Sequence, residues 1–356
     1  MKRMRFVLGA VSIAAVVGLV ACGGDDDSTS SDSGGDATTS ADTGGGEAKN
    51  IYLNQYTREI PYFQEIVKGM QEKADEFGWT LTTEFGNVDP AEQVDQTENA
   101  IVTSPDGMVI IPVDEEAISP AMREATAAGI LTAAMGDDTG DPDARDFFLG
   151  GNYETLGELK AEYIIEQLGG EGKVGIIHGI RGLNFTEEQN TGAMAVFETA
   201  SGIEVVDGPY AGGFSGDLGL EATENLLARD SDLDAIYYDN DDLALGGIQA
   251  FTERDIAPED ILVIGTDGGQ AALDAVQAGE LDYTLNLCGF EQGKLMMDQM
   301  FSMLDGGQSV EEAANALTSV AIQPEYDGSG GIITPFLPFT TATYDEEIQL
   351  VDSGEC

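Results

Sequence analysis

The chain has 356 residues and a formal charge of -51, from 15 Lys and Arg against 66 Asp and Glu. That length excludes a single small module and leaves room for two domains, each with its own core. An acidic excess of this size repels phosphate backbones and anionic head groups, so nucleic acid is excluded as the natural partner. The acids are spread through segments that otherwise read as globular, which makes them solvated surface rather than a tail. They suggest a salty habitat, a hypothesis that a melting temperature unchanged between low and molar salt would remove.

In chain order, Lys2, Arg3 and Arg5 precede an apolar run from Phe6 to Val20, the layout of a signal peptide and too short for a transmembrane helix. The run ends in Leu19-Val20-Ala21-Cys22-Gly23, which resembles the lipobox of bacterial lipoproteins. The resemblance implies a signal peptide over 1–21, lipidation of Cys22 and a mature chain held outside the cytoplasm on the cell membrane. Residues 22–49 form an acidic Gly/Ser/Thr linker without an aromatic residue, unable to bury enough apolar surface to order itself. Such a tether reaches about 25 to 30 Å. Of the three cysteines, Cys288 and Cys356 remain free to pair in an oxidising compartment, and the sequence leaves their separation open.

From Asn50 onward strands and helices alternate. Ile51 to Gln55 reads as a strand, and Pro61 opens a helix in which Phe63, Ile66, Val67, Met70, Ala74 and Phe77 recur at spacings of three and four before Gly78 stops it. Strands at 80–85, 107–111 and 130–134 follow, separated by helices at 90–103 and 117–128. The rhythm then repeats through helices at 153–168, 187–201, 216–228, 243–254 and 270–278, with strands at 173–178, 203–208, 235–238, 261–266 and 281–287. A helix at 291–304 and an extended return at 332–344 close the chain. This pattern predicts an α/β fold of two doubly wound parallel-sheet lobes.

Ligands of such sheets sit beyond the carboxyl ends of the strands. The turns there offer residues 57–63, Pro112 to Asp114 and Gly136 to Asp138, then His178 with Arg181, Asn184 to Gln189, Phe214, Tyr238 to Asp242 and Thr266 to Gly268. Carboxylates, amides and aromatic faces in one place suit a neutral polyol. Each has a plainer reading. Asp241, Asp242 and Asp267 precede helices, where carboxylates cap. Tyr62 and Phe63 fit a helix core, and His178, the sole histidine, fits a structural place at a strand end. The acids from Asp137 to Asp146 lack EF-hand spacing and read as a solvated loop. Arg58 and Arg181 suit an acidic ligand group or a surface ion pair. No nucleophile elbow, paired-histidine metal motif or P-loop occurs, so no cofactor or metal is expected.

Four stretches carry a resemblance to a family. They are Ile60-Pro61-Tyr62-Phe63, Val109 to Asp114, Ala235 to Gly246 and Ile264 to Gly268. Over residues from Asn50 to Glu347 the chain resembles the type I periplasmic sugar-binding proteins of the ribose and galactose kind, receptors for ABC importers. The resemblance implies a monomer that binds a monosaccharide or small polyol by hinge closure and docks on permease subunits. It assigns ligand contacts to Tyr62, Phe63, Asp137, Gln189, Phe214, Asn240 and Asp267. Asp138 stands where the family has arginine, Gln189 where ribose binders have arginine, and Leu287 where they have glutamine, which leaves the choice of sugar open. It also implies lobes of 50–151 with about 289–339 and of 152–288 with about 340–356, with crossings near Gly151, Cys288 and Thr340. Two alternatives stand beside the importer receptor: a sugar or autoinducer-2 sensor serving a membrane kinase or chemoreceptor, and a tethered glycoside hydrolase.

Overall fold

The structure, a computed structural model, describes residues 47–319, 321–352 and Cys356. The expected signal peptide, Cys22 and the linker as far as 46 lie outside the described residues. No helix among the described residues is long and apolar enough to cross a membrane.

The first lobe is built from β1 (Asn50–Gln55), α1 (Pro61–Phe77), β2 (Thr80–Phe85), α2 (Pro90–Val102), β3 (Gly107–Ile110), α3 (Glu115–Ala127), β4 (Leu131–Met135) and β5 (Phe147–Gly150). The second follows with α4 (Tyr153–Gln167), β6 (Glu171–His178), α5 (Asn184–Phe197), β7 (Gly202–Tyr210), α6 (Gly216–Arg229), β8 (Ala235–Tyr238), α7 (Asp241–Glu253), β9 (Leu262–Ile264), α8 (Gln270–Ala278) and β10 (Tyr283–Asn286). The chain then returns to the first lobe for α9 (Gly289–Leu304), α10 (Val310–Ala314), β11 (Glu325–Tyr326) and β12 (Gly331–Ile333), and to the second for β13 (Leu337–Thr340) and α11 (Tyr344–Asp352).

The sheet orders are β11-β12-β5-β4-β3-β1-β2 and β13-β10-β9-β8-β6-β7. Among the described strands the pairings are parallel except β11 with β12 and β13 with β10, and β11 and β13 each lie at an edge. The central strands β3 and β8 are buried at every residue, as strands covered by helices on both faces must be. Helix α1 turns Ile66, Met70 and Ala74 inward and ends at Gly78, whose φ of 70° is the left-handed cap that glycine adopts without strain. In the second lobe, α4 and α5 approach so closely that a Cβ on Gly157 would stand 1.8 Å from the Gln189 carbonyl oxygen. A Cβ on Gly192 would stand 2.0 Å from that of Glu154. Glycine is obligatory at both positions, and this contact sets which face of α5 meets the sheet.

Three expectations change in detail. The third crossing lies at 334–336, not near Thr340, because Leu337 to Thr340 already pairs with β10 in the second sheet. The expected extended return is therefore split, with α11 starting at Tyr344. Phe147 to Gly150, which directly follow the acids read as a solvated loop, form a strand hydrogen-bonded between β4 and β12. Helix α5 starts at Asn184 rather than Glu187, which brings Phe185 to its first turn.

Candidate functional site

Residues from both lobes line one cavity at the carboxyl ends of the strands, with an empty volume of about 460 Å³ counting its open mouth. From the first lobe come Tyr56, Ile60, Tyr62, Phe63, Ile111 and Asp137. Ile60 is extended at φ -82° and ψ 127°, and Pro61 begins α1 immediately after it, so Tyr62 and Phe63 occupy the first helical turn and face the cleft. After β4, Gly136 adopts φ 71° and turns Asp137 inward. Tyr153, Leu183, Phe185, Phe214, Asn240, Asp267 and Leu287 complete the wall.

The aromatic rings form two groups. Tyr62 and Phe63 lie 5.2 Å apart and Tyr56 and Phe63 5.7 Å apart, while Tyr153 and Phe185 meet edge-on at 4.9 Å, with Phe214 5.9 Å beyond. The Tyr62 hydroxyl donates to Gln292 Oε1 at 2.6 Å, and Gln292 Nε2 donates to Thr334 Oγ1 at 2.8 Å. The cleft is thus hydrogen-bonded to the segment of the third crossing.

Asn240 caps α7, its Oδ1 accepting from the Leu243 amide at 3.0 Å, and its Nδ2 donates to Asp267 Oδ2 at 3.2 Å. Asp267 has φ 115°, a conformation that favours glycine and that a carboxylate adopts only where the surroundings impose it. Asp137 is 9% exposed, and its Oδ1 has no hydrogen-bond partner among the described residues. Burial, reinforced by the charges of Glu115, Glu188 and Asp138, pushes its carboxyl well above the usual range. Burial also raises Asp267, with Asp241 and Asp242 adding repulsion.

Of the seven residues expected to touch ligand, Tyr62, Phe63, Asp137, Phe214, Asn240 and Asp267 line this cavity and Gln189 does not. Gln189 is fully buried behind the wall. Its Oε1 accepts from Lys160 Nζ at 3.1 Å and from the Tyr237 hydroxyl at 3.0 Å, and its Nε2 donates to the Asp239 carbonyl at 3.2 Å. The tight approach of α4 turns this face of α5 toward the sheet rather than the cleft. Leu287 does line the cavity. Asp138 is turned away, paired through both oxygens with the Arg145 guanidinium.

The other polar candidates have partners of their own. Arg58 lies over the Phe85 ring at 4.4 Å and Arg181 over Tyr210 at 3.7 Å. His178 Nε2 bonds Asp207 Oδ1 at 2.8 Å. Asp241 accepts from the Gly268 amide at 2.7 Å and from the Thr284 hydroxyl at 2.8 Å. Asp141 pairs with Arg123, and Asp146 Oδ2 accepts from the Thr132 amide at 2.8 Å. Sequence reading passed over Tyr56 and Tyr153, and offered Phe185 only as part of the turn Asn184 to Gln189; the usable signal was position, since Tyr56 directly follows a strand and Tyr153 a crossing.

The periplasmic binding protein domain model matches residues 51–308. The ribose import binding protein of Bacillus subtilis is 28% identical over 264 residues, covering 74% of this chain and 84% of that protein. Among solved structures, a periplasmic ribose ABC transporter protein from Conexibacter woesei is 35% identical with a TM-score of 0.74, covering 88% of this chain and 99% of that one. A solute-binding protein from Bacillus halodurans, solved with bound myo-inositol, shares the fold at 23% identity and a TM-score of 0.75, covering 86% of this chain and 99% of that one. With two α/β lobes facing one cavity and a family match over most of its length, the chain belongs to the periplasmic binding protein family.

Proposed function

We propose that this protein is the extracytoplasmic receptor of an ABC importer and captures a sugar or related small polyol between its lobes. The observation that carries the reading is the composition of the cavity: aromatic faces from both lobes, with Asp137 on one side and Asn240 and Asp267 on the other. Rings cover the C–H faces of a polyol while carboxylates and an amide engage its hydroxyls. Closure follows from differential affinity, because a ligand that bridges the lobes binds the closed state more tightly than the open one. The named ribose-binding relatives support the importer role, and binding rather than hydrolysis is the reading their names favour. The lipid anchor at Cys22 rests on the sequence alone, and loss of labelled-lipid incorporation in Cys22→Ala is its test.

A thermal-shift screen against pentoses, hexoses, cyclitols and their amino and N-acetyl derivatives tests the function. A ligand at a hundred times its dissociation constant stabilises the folded form by about 2.7 kcal/mol. The expected result is a concentration-dependent rise in melting temperature with at least one compound. No shift with any of them would overturn the polyol reading.

A further inference from the structure

Among the described residues, the cavity is lined by two carboxylates and by no basic side chain. Arg58 and Arg181 are stacked on rings outside it, Arg145 is held by Asp138, and Lys160 lies beneath the floor with Gln189, Tyr238 and Thr266 as acceptors. The two carboxylates differ. Asp267 already accepts from Asn240, whereas Asp137 is nine-tenths buried with Oδ1 unpartnered. A buried carboxylate without a partner is costly when ionised, and a neutral hydroxyl returns one hydrogen bond but no charge. An ammonium group returns both. Tyr56, Tyr62 and Tyr153 share the cavity with Asp137, and aromatic faces attract cations in just such desolvated surroundings.

We infer that the cleft is built for a sugar or cyclitol that carries an ammonium group, its nitrogen seated at Asp137 among the tyrosines and its hydroxyls directed to Asn240 and Asp267. This rests on the polyol reading and narrows it to an aminated member of that class. The surrounding field agrees. Glu115 on α3, Glu188 on α5 and Asp138 in the same loop add negative potential at Asp137, and Tyr56, Tyr62 and Tyr153 are the other titratable groups that feel its charge. Burial and these acids raise the Asp137 carboxyl, and an ammonium group seated against it favours the ionised form.

The test is calorimetric titration of the purified protein at pH 7 with matched compounds: D-glucose, D-glucosamine and N-acetyl-D-glucosamine, the galactose trio, and myo-inositol beside an aminodeoxy-inositol. The expected result is that in at least one set the amine binds about 10-fold or more tighter than its hydroxyl counterpart. N-acetylation, which removes the charge, should abolish that gain. In Asp137→Asn the amine-to-hydroxyl affinity ratio should fall toward one. Hydroxyl compounds that bind as tightly as or more tightly than their amines in every set, or an amine preference unchanged in Asp137→Asn, would overturn the inference while leaving the polyol reading in place. Failure of every compound to bind would overturn the inference, and the wider thermal screen, pentoses included, then decides whether the polyol reading stands. Should the variant not fold, the N-acetyl comparison on the unaltered protein decides alone.

Discussion

Asn240 serves two masters: Oδ1 holds the Leu243 amide at 3.0 Å to cap α7, and Nδ2 holds Asp267 Oδ2 at 3.2 Å. The bond orients a carboxylate whose backbone, at φ 115°, is already unfavourable for any residue but glycine. Asp267→Ala should therefore weaken polyol binding by roughly 10- to 100-fold, the loss expected of a hydrogen bond to a charged group. Asp267→Gly should lose the same affinity and melt at a higher temperature than Asp267→Ala, because glycine relieves the backbone. Equal melting temperatures for the two variants would show that no strain is held there.

This pair was legible in the sequence because capping and the strand-to-helix turn are local. An Asn at the end of β8 and an Asp after β9 point to the carboxyl edge of a sheet wherever the rest of the chain goes. Gln189 was not legible. Whether it meets ligand depends on which face of α5 turns to the cleft, and that is decided by the close approach permitted at Gly157 and Gly192. The third crossing was misplaced for a related reason. Residues 331–340 read as extended throughout, and only pairing partners, β5 for Gly331 to Ile333 and β10 for Leu337 to Thr340, separate one lobe from the other.

Glu115 at the start of α3 feels Glu188 of α5 across the cleft. Burial first, and then Glu188, raise its pKa to about 7 from the usual carboxylate range near 4.5. The folded form thus holds this proton to higher pH than the unfolded chain does. Its contribution to stability is complete below about pH 4.5 and is lost as pH rises through about 7. The unliganded protein should melt at progressively lower temperature between pH 5 and pH 8, and Glu115→Gln should flatten that slope. Parallel profiles for the two proteins would mean that Glu115 does not titrate in this window.

Lys160 is fully buried, and its Nζ donates to Gln189 Oε1 at 3.1 Å, the Tyr238 carbonyl at 2.7 Å and Thr266 Oγ1 at 2.7 Å. Three acceptors match the three N–H bonds of an ammonium group; burial lowers its pKa to about 7, and the carboxylates of Asp239 and Asp241 counter that by favouring the charge. Lys160→Met would leave those buried acids without their cation, at a cost of about 3 to 5 kcal/mol. Urea denaturation should register that loss, and restoring the charge as Lys160→Arg should fail to recover it in full, because a planar guanidinium does not fit three converging acceptors. A methionine variant as stable as the parent would show that the network carries no net charge interaction.

Cys288 and Cys356, whose separation the sequence left open, are joined as a disulfide with their Cα atoms 4.6 Å apart, across 68 positions of chain. Cys288 is fully buried at the second crossing, with φ 51°, and its amide donates to Asn286 Oδ1 at 2.7 Å. The bond therefore ties Cys356 to a segment that passes between the lobes. In the chain-entropy account, closing a loop of this size removes enough freedom from the unfolded chain to contribute about 4 kcal/mol. Cys356→Ser should lower the melting temperature by on the order of 5 to 10 °C. The double variant Cys288→Ser/Cys356→Ser should fall somewhat further, because serine places a hydroxyl at the buried position 288. Reduction of the unaltered protein should reproduce the Cys356→Ser value, since it breaks the same link and leaves both side chains near their native size. If Cys356→Ser melts with the unaltered protein and reductant changes neither, the bond contributes nothing to stability.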